Sequence, residues 1–380
     1  MFVAFFLICI ALIELSFCKQ TNRLSSYILI GVMAFIMGGS IVNADYEGYK
    51  ILYENSIHFN VDDFFNVEKS LQYWYPKDSG YALINSAFVS AGFLYVEFKT
   101  IIAFVFYVIG YYIIYNLTTN ANRILVVYLF FPFFLDVIQI RNFYTMILLL
   151  LGTYLYAKSQ SVKKYLIVAS ITATLHATSL VMFFYIFVDR LIEKEYCKKI
   201  INLCVVIGFC FPLYVNAIEN LVGGGYDVFL ADSGFAISAY GAYASDATEG
   251  RYGKFILYVY VCTMMIIMRK VSIQLKKESL PQFMYAFVRT VYVMHLCIVI
   301  LLPALALTTQ FGRLPRNLLL EDYIVLTIFY KYCWCGKNAA NYMIGAMVAI
   351  FVFAVYALYW NYGNEVVNII NNNYYIEYML

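Results

Sequence analysis

Runs of about 20 apolar residues, the length that crosses roughly 30 Å of hydrocarbon as a helix, recur along the whole chain. They fall near residues 1–18, 24–42, 100–118, 123–139, 142–157, 200–218, 255–268, 283–307, 318–332 and 339–360. A helix satisfies its backbone hydrogen bonds within one segment, so such runs can enter a bilayer. They are continuously apolar rather than alternating with period two, which argues against a β-barrel. Charged residues make up 13% of the 380, against about 25% in soluble domains. The expectation is an all-α fold: a polytopic integral membrane helix bundle of about 10–12 transmembrane helices. It reads as one multi-pass domain over residues 1–380. Met1 leads straight into FVAFFLICIALIELSFC, with no basic n-region and no small-residue cleavage site, so the first run reads as a retained helix.

Two polar stretches break the pattern, residues 43–80 and 219–254. The first is acidic and aromatic, the second rich in Tyr, Gly, Ala and Ser; both read as outer-face loops capping a membrane cavity. Two other segments are ambiguous. Residues 81–97 suit either a span or an interfacial helix. Residues 164–188 would rise about 37 Å as one helix, long for one crossing and short for two. Two half-helices meeting at His176 are the alternative. If neither segment crosses as a single span and residues 43–99 lie outside, most Lys and Arg face the cytoplasm. That arrangement brings Arg141 and His176 to the outer face.

The most informative interruption is DVIQIRN, residues 136–142, between RILVVYLFFPFFL and FYTMILLLLGTYLY. A charge at the centre of a membrane helix costs about 2.5–3.5 kcal/mol on insertion scales. Asp136, Gln139, Arg141 and Asn142 therefore belong at a membrane face, along a wet cavity or in mutual pairs. Arg141 joins Arg313 and Arg316 of QFGRLPRN, with His176 of LHATS, in an anion-binding set. A guanidinium is a rigid, permanently charged, two-pronged donor, and two or three of them suit a diphosphate. For Arg313 and Arg316 the plainer reading is a loop anchored to lipid headgroups. For His176 it is a helix-packing hydrogen bond. His295 reads as a packing residue and Arg289 as a side chain snorkelling to the cytoplasmic face.

The acidic set is Asp45, Glu47, Asp62, Asp63 and Asp78. Asp45 follows one helix end and Asp78 precedes the next, at cavity depth. A carboxylate there can accept a proton from a sugar hydroxyl, and solvated loop charge is the alternative. Tyr46, Tyr49, Tyr73, Trp74, Tyr75 and Tyr81 offer faces for sugar rings, or an interfacial aromatic belt.

Several chemistries have no support. The chain has no P-loop, no GxGxxG before a helix, no HExxH and no GxSxG. Energy from nucleotide hydrolysis is therefore not expected, and an activated membrane-borne substrate fits better. The net charge of +3 is small and dispersed, which excludes a nucleic-acid partner. Nine Cys lie in apolar runs and at helix ends and read as free thiols; Cys333 and Cys335 form CxC without a second ligand pair. No metal and no cofactor is expected.

Five short motifs, in order over roughly residues 40–330, resemble the EpsG-like branch of the Wzy-type bacterial polysaccharide polymerases. DYEGY (45–49) is similar to an early DxxxY stretch. DSGYALIN (78–85) is similar to an E-P-G-Y segment, with Asp78 for Glu and Ser79 for Pro. IRNFYTMILLLL (140–151) resembles an R-Q-x-x-A element, with Asn142 for Gln and Thr145 near the small position. LHATSL (175–180) resembles H-x-S/T-[AS], and FGRLPRNLLLEDY (311–323) a late arginine-bearing helix start.

The resemblance implies a metal-independent glycosyltransferase of the bacterial inner membrane. It would polymerise polyprenyl-diphosphate-linked oligosaccharide repeat units at the outer face, in contact with the lipid bilayer and with a chain-length regulator as a possible partner. His176, Arg141, Asp45 and Asp78 would carry catalysis; Arg313, Arg316, Tyr46, Tyr49, Tyr81 and Asn142 would bind substrate. The product could serve as O-antigen, capsule or exopolysaccharide. Two alternatives stand beside this: a ligase passing a finished glycan from the same carrier to a lipid A core, and a flippase of the lipid-linked unit. The flippase lacks the paired broken helices usual in transporters.

Overall fold

The computed structural model describes residues 21–59, 61–63, 78–215, 250–303, 312–333 and 338–378. The expected first span, the aromatic trio Tyr73–Tyr75, most of the 219–254 loop and Cys335 lie outside the described residues. Among those described, every regular element is a helix. In chain order they are α1 (Arg23–Gly39), α2 (Tyr46–Asn55), α3 (Ser79–Ser90), α4 (Tyr95–Leu117), α5 (Ala121–Phe130), α6 (Phe133–Ile138), α7 (Ile140–Ser159), α8 (Val162–Leu175) and α9 (Val181–Leu191). There follow α10 (Glu195–Phe209), α11 (Gly250–Leu275), α12 (Gln282–Leu301), α13 (Arg313–Arg316), α14 (Leu319–Cys333), α15 (Ala339–Ala354), α16 (Asn361–Asn371) and α17 (Tyr374–Tyr378).

This is an all-α membrane protein. Among the described residues, four helices are long and apolar enough to cross a bilayer: Tyr95–Leu117, Gly253–Leu275, Gln282–Leu301 and Ala339–Leu358. The last of these shows what the apolar runs are for. Ile344, Met347, Val348 and Phe351 recur at helical spacing and are each more than half exposed. An apolar stripe of this kind would be costly in water and is the face a membrane helix turns to lipid. Between such helices the hydrophobic effect contributes little, so packing and hydrogen bonds hold them together.

Local signals set the helix ends. The Asn22 side chain accepts from the backbone N–H of Leu24 at 3.0 Å and of Ser25 at 3.5 Å, capping α1. Asn120 caps α5 through the N–H of Arg123 at 3.2 Å, and Gln160 ends α7 in the left-handed region at φ 53°. The run at 123–139, read from sequence as one span, is two short helices, α5 and α6. Pro132 sits between them and has no N–H to continue the ladder. The ambiguous segment at 81–97 falls on α3, whose 12 residues rise about 18 Å and do not cross a bilayer, and on the start of α4 at Tyr95. The other ambiguous segment breaks at His176, between α8 and a 3₁₀ turn (Ala177–Leu180) that leads into α9.

The chain divides into two compact units. Unit 1 comprises residues 1–183, 317–331 and 357–380. In it α1 packs along α4, α4 along α7, and α7 along α8, with α3 against α2 and α8. Two buried polar pairs cross between its helices: the Tyr128 hydroxyl donates to Asp136 at 2.8 Å, and Asn142 Nδ2 donates to Asn317 Oδ1 at 2.6 Å. Unit 2 comprises residues 184–316 and 332–356, with α11 packed on α12 and α15, and α10 on α12. Arg289 is held there by Glu193 at 2.9 Å and Asp189 at 3.6 Å, an ion-pair cluster in which its guanidinium stays about one-third exposed.

Candidate active site

Three interruptions of helical structure meet in unit 1: the start of α3, the α6–α7 hinge and the break at His176. Each places one charged or titratable side chain. Asp78 stands at the N-cap of α3, where an Asp usually bonds the first-turn N–H groups; here it makes no such cap. Its Oδ2 instead accepts from Arg141 Nη1, Arg141 being in the first turn of α7. His176 Nδ1 lies 3.9 Å from the other carboxylate oxygen of Asp78. The Asp78 carboxylate therefore faces a guanidinium with one oxygen and an imidazole with the other.

Two tyrosines complete the setting. Tyr49, on the inner face of α2, receives a hydrogen bond from Arg141 Nε at 3.3 Å, and its ring lies 4.9 Å from the guanidinium carbon. Tyr81, in the first turn of α3, places its ring 5.7 Å from the same carbon. A guanidinium over a tyrosine face gains about 0.5–2 kcal/mol, more as water is excluded. The side chains of Arg141, Asp78 and His176 are 21%, 12% and 9% exposed, so the cluster is nearly closed while the guanidinium keeps a route to a ligand.

The backbone at His176 explains how an imidazole is fixed at a helix break. Its N–H still closes the last turn of α8 onto Thr172 O at 3.0 Å. Its carbonyl accepts both the N–H of Ser179 at 3.0 Å and the Ser179 hydroxyl at 2.7 Å. Ser179, fully buried, was not singled out in the sequence. Its spacing in HATS, three residues after His176, is the signal for this local turn.

The remaining sequence candidates have the following settings. Asp45 is half-buried at the N-cap position of α2 and makes no side-chain cap. Tyr46 faces Lys99, whose ammonium lies 4.7 Å from its ring and 5.1 Å from that of Tyr95, while donating to Ser40 O at 2.6 Å. Burial, reinforced by Glu47 and Glu54, pushes the Tyr46 phenol up to about 12, so it remains a neutral donor. Asn142 donates its Nδ2 to Asn317 Oδ1 at 2.6 Å. Arg313 and Arg316 belong to unit 2, in the short helix α13, half-buried and buried respectively. Leu314 and Pro315, between them, line a small apolar cleft with Leu257, Val261, Ile298, Leu301 and Leu302.

Sequence reasoning missed Lys99. Its position four residues after Tyr95, in a helix whose one other charge is Glu97, was the available clue. Among the described residues, no group of three or more His, Cys, Asp or Glu side chains is arranged to hold a metal ion. The cluster as built can bind an anion at Arg141 and exchange a proton at His176 or Asp78.

Comparison with curated proteins and with solved structures returned no match. A model of the EpsG family, in contrast, matches residues 2–379, so the Arg141, Asp78 and His176 segments and the whole helical scaffold fall within one family alignment, and the chain belongs to the EpsG family.

Proposed function

We propose that this protein polymerises polyprenyl-diphosphate-linked oligosaccharide repeat units at the outer face of the bacterial inner membrane. EpsG membership points to a polysaccharide polymerase of glycosyltransferase type. The observation that carries the finer reading is the meeting of Arg141, Asp78 and His176 at three helix interruptions.

In the reaction, a hydroxyl of the acceptor unit attacks the anomeric carbon of the growing glycan. The bond from that carbon to the diphosphate oxygen breaks, and polyprenyl diphosphate departs with the electron pair. Arg141 takes the developing charge on the leaving group, the kind of preorganised electrostatic stabilisation that dominates many catalysed transfers. The acceptor proton passes to His176, with Asp78 orienting the imidazole and stabilising its cationic form. At rest Asp78 neutralises Arg141; an incoming diphosphate competes for the guanidinium and leaves the carboxylate to His176. The exposed apolar helix faces let polyprenyl tails approach from the lipid.

The test is the surface glycan of cells deleted for this chain. Complementation with wild type restores a ladder of lengths, and Arg141→Ala, inserted at the same level, leaves single repeat units. Loss of even the single unit on deletion would indicate a flippase instead. Long lipid-linked polymer that is never attached to lipid A core would indicate a ligase.

A further inference from the structure

The C-terminal segment of unit 1 folds back onto the end of α1. Asn373, 1% exposed, is the anchor. Its Nδ2 donates to Phe35 O at 3.3 Å, its Oδ1 accepts from the Tyr375 N–H at 3.1 Å, and its backbone forms an isolated antiparallel bridge with Ser40. Gly39 leaves the room this requires, because a Cβ there would collide with the Asn373 amide. Tyr375 adds a second hold: its hydroxyl lies 2.7 Å from Thr100 Oγ1, and its ring stacks on Phe35 at 5.0 Å between centroids.

These contacts use Asn373 and Tyr375. Tyr374 and Tyr378, at i and i+4 of α17, share another face, with ring centroids 5.0 Å apart and an interplanar angle of 33°. Tyr378 is 69% exposed, so core packing does not account for it. The pair is tied to the site through Ser40. That residue bridges Asn373 on one side and accepts from Lys99 on the other, and Lys99 lies against the Tyr46 ring. Tyr46 precedes Tyr49 by three residues on α2, about 4.5 Å along the axis, which is the scale of one sugar ring beyond Arg141.

We infer that Tyr374 and Tyr378, tied to Tyr46 through the Asn373–Ser40 bridge and Lys99, form a saccharide subsite that holds pyranose rings of the glycan by stacking. This rests on the polymerase reading and deepens it by naming a part of the site that grips sugar away from the diphosphate. Tyrosine supplies a large, rigid, amphipathic face at low conformational cost, suited to the apolar face of a sugar ring. An interfacial belt residue would serve equally well as any amphipathic or apolar side chain at that depth, and the test uses this difference.

The full-length protein in detergent is titrated with repeat-unit oligosaccharides cut from the host's own surface glycan, with binding read by saturation-transfer NMR. Tyr374→Leu/Tyr378→Leu keeps an apolar surface but removes the rings; Tyr374→Phe/Tyr378→Phe keeps the rings. Monodisperse elution of both confirms folding. Binding weakened about tenfold or more in the Leu pair, a loss of about 1.4 kcal/mol, and retained in the Phe pair is the expected result. Equal binding by all three proteins, or equal loss in both pairs, overturns the subsite. Polymerase failure is read separately, as a missing ladder in cells whose protein still binds the oligosaccharide.

Discussion

Replacing Asp78 with Asn removes the charge that Arg141 faces while keeping the side-chain shape. Breaking a buried ion pair by removing one partner costs about 3–5 kcal/mol, because the other charge is left uncompensated. Here the value falls lower, for two reasons visible in the geometry. The Arg141 side chain is 21% exposed, so water screens part of the loss. The Tyr49 hydroxyl and the Tyr49 and Tyr81 rings also remain in place around the guanidinium. The expected cost is about 2–3 kcal/mol for Asp78→Asn, and similar for Arg141→Gln. Because the two changes remove one interaction, the double variant should be less unstable than the sum by about 1–3 kcal/mol. The assay is reversible unfolding in mixed detergent micelles for wild type, both single variants and the double variant. Additivity within about 0.5 kcal/mol would refute the pairing and, with it, the role of Asp78 as resting counter-ion to Arg141.

Other substitutions separate chemistry from structure. His176→Gln should abolish polymer formation at unchanged protein level; a large fall in level would assign His176 to packing. Ser179→Ala removes one buried hydrogen bond to the His176 carbonyl, worth about 1 kcal/mol, and should lower activity only partly. Lys99→Met should destabilise unit 1 by about 1–3 kcal/mol, since the end of α1 loses the ammonium at Ser40 O and Tyr46 loses its cation. Thermal unfolding in detergent would read this, and an unchanged midpoint would refute it. Asn142→Ala, which breaks the bond to Asn317, should cost about 0.6–1.7 kcal/mol of stability without changing the apparent KM for the lipid-linked unit.

What the sequence reveals here is whatever depends on neighbours along the chain. The apolar runs, the Asn22 and Asn120 caps and the excess length of 164–188 are one-dimensional signals, and the last of these points to the break found at His176. The break at Pro132 was equally legible in FFPFF, but the apolarity around it masks the missing N–H. The partner of a charge is a different matter. Asp78 and Arg141 are 63 residues apart, and nothing in either local pattern selects that pairing over one with Asp45. Likewise Asn142 looks like an extension of the Arg141 motif, yet its amide points to a residue 175 positions away. Helix periodicity tells which residues share a face but not which face they meet, and the buried use of Lys99 follows from that second kind of information.

The most direct measurement is reconstitution. Purified protein in liposomes receives a polyprenyl-diphosphate-linked repeat unit as the sole substrate, and products are separated by length. A ladder from wild type and monomer alone from Arg141→Ala, with polyprenyl diphosphate released in step with each bond formed, is the predicted result. A ladder of normal length from Arg141→Ala, or none from wild type, would contradict the account.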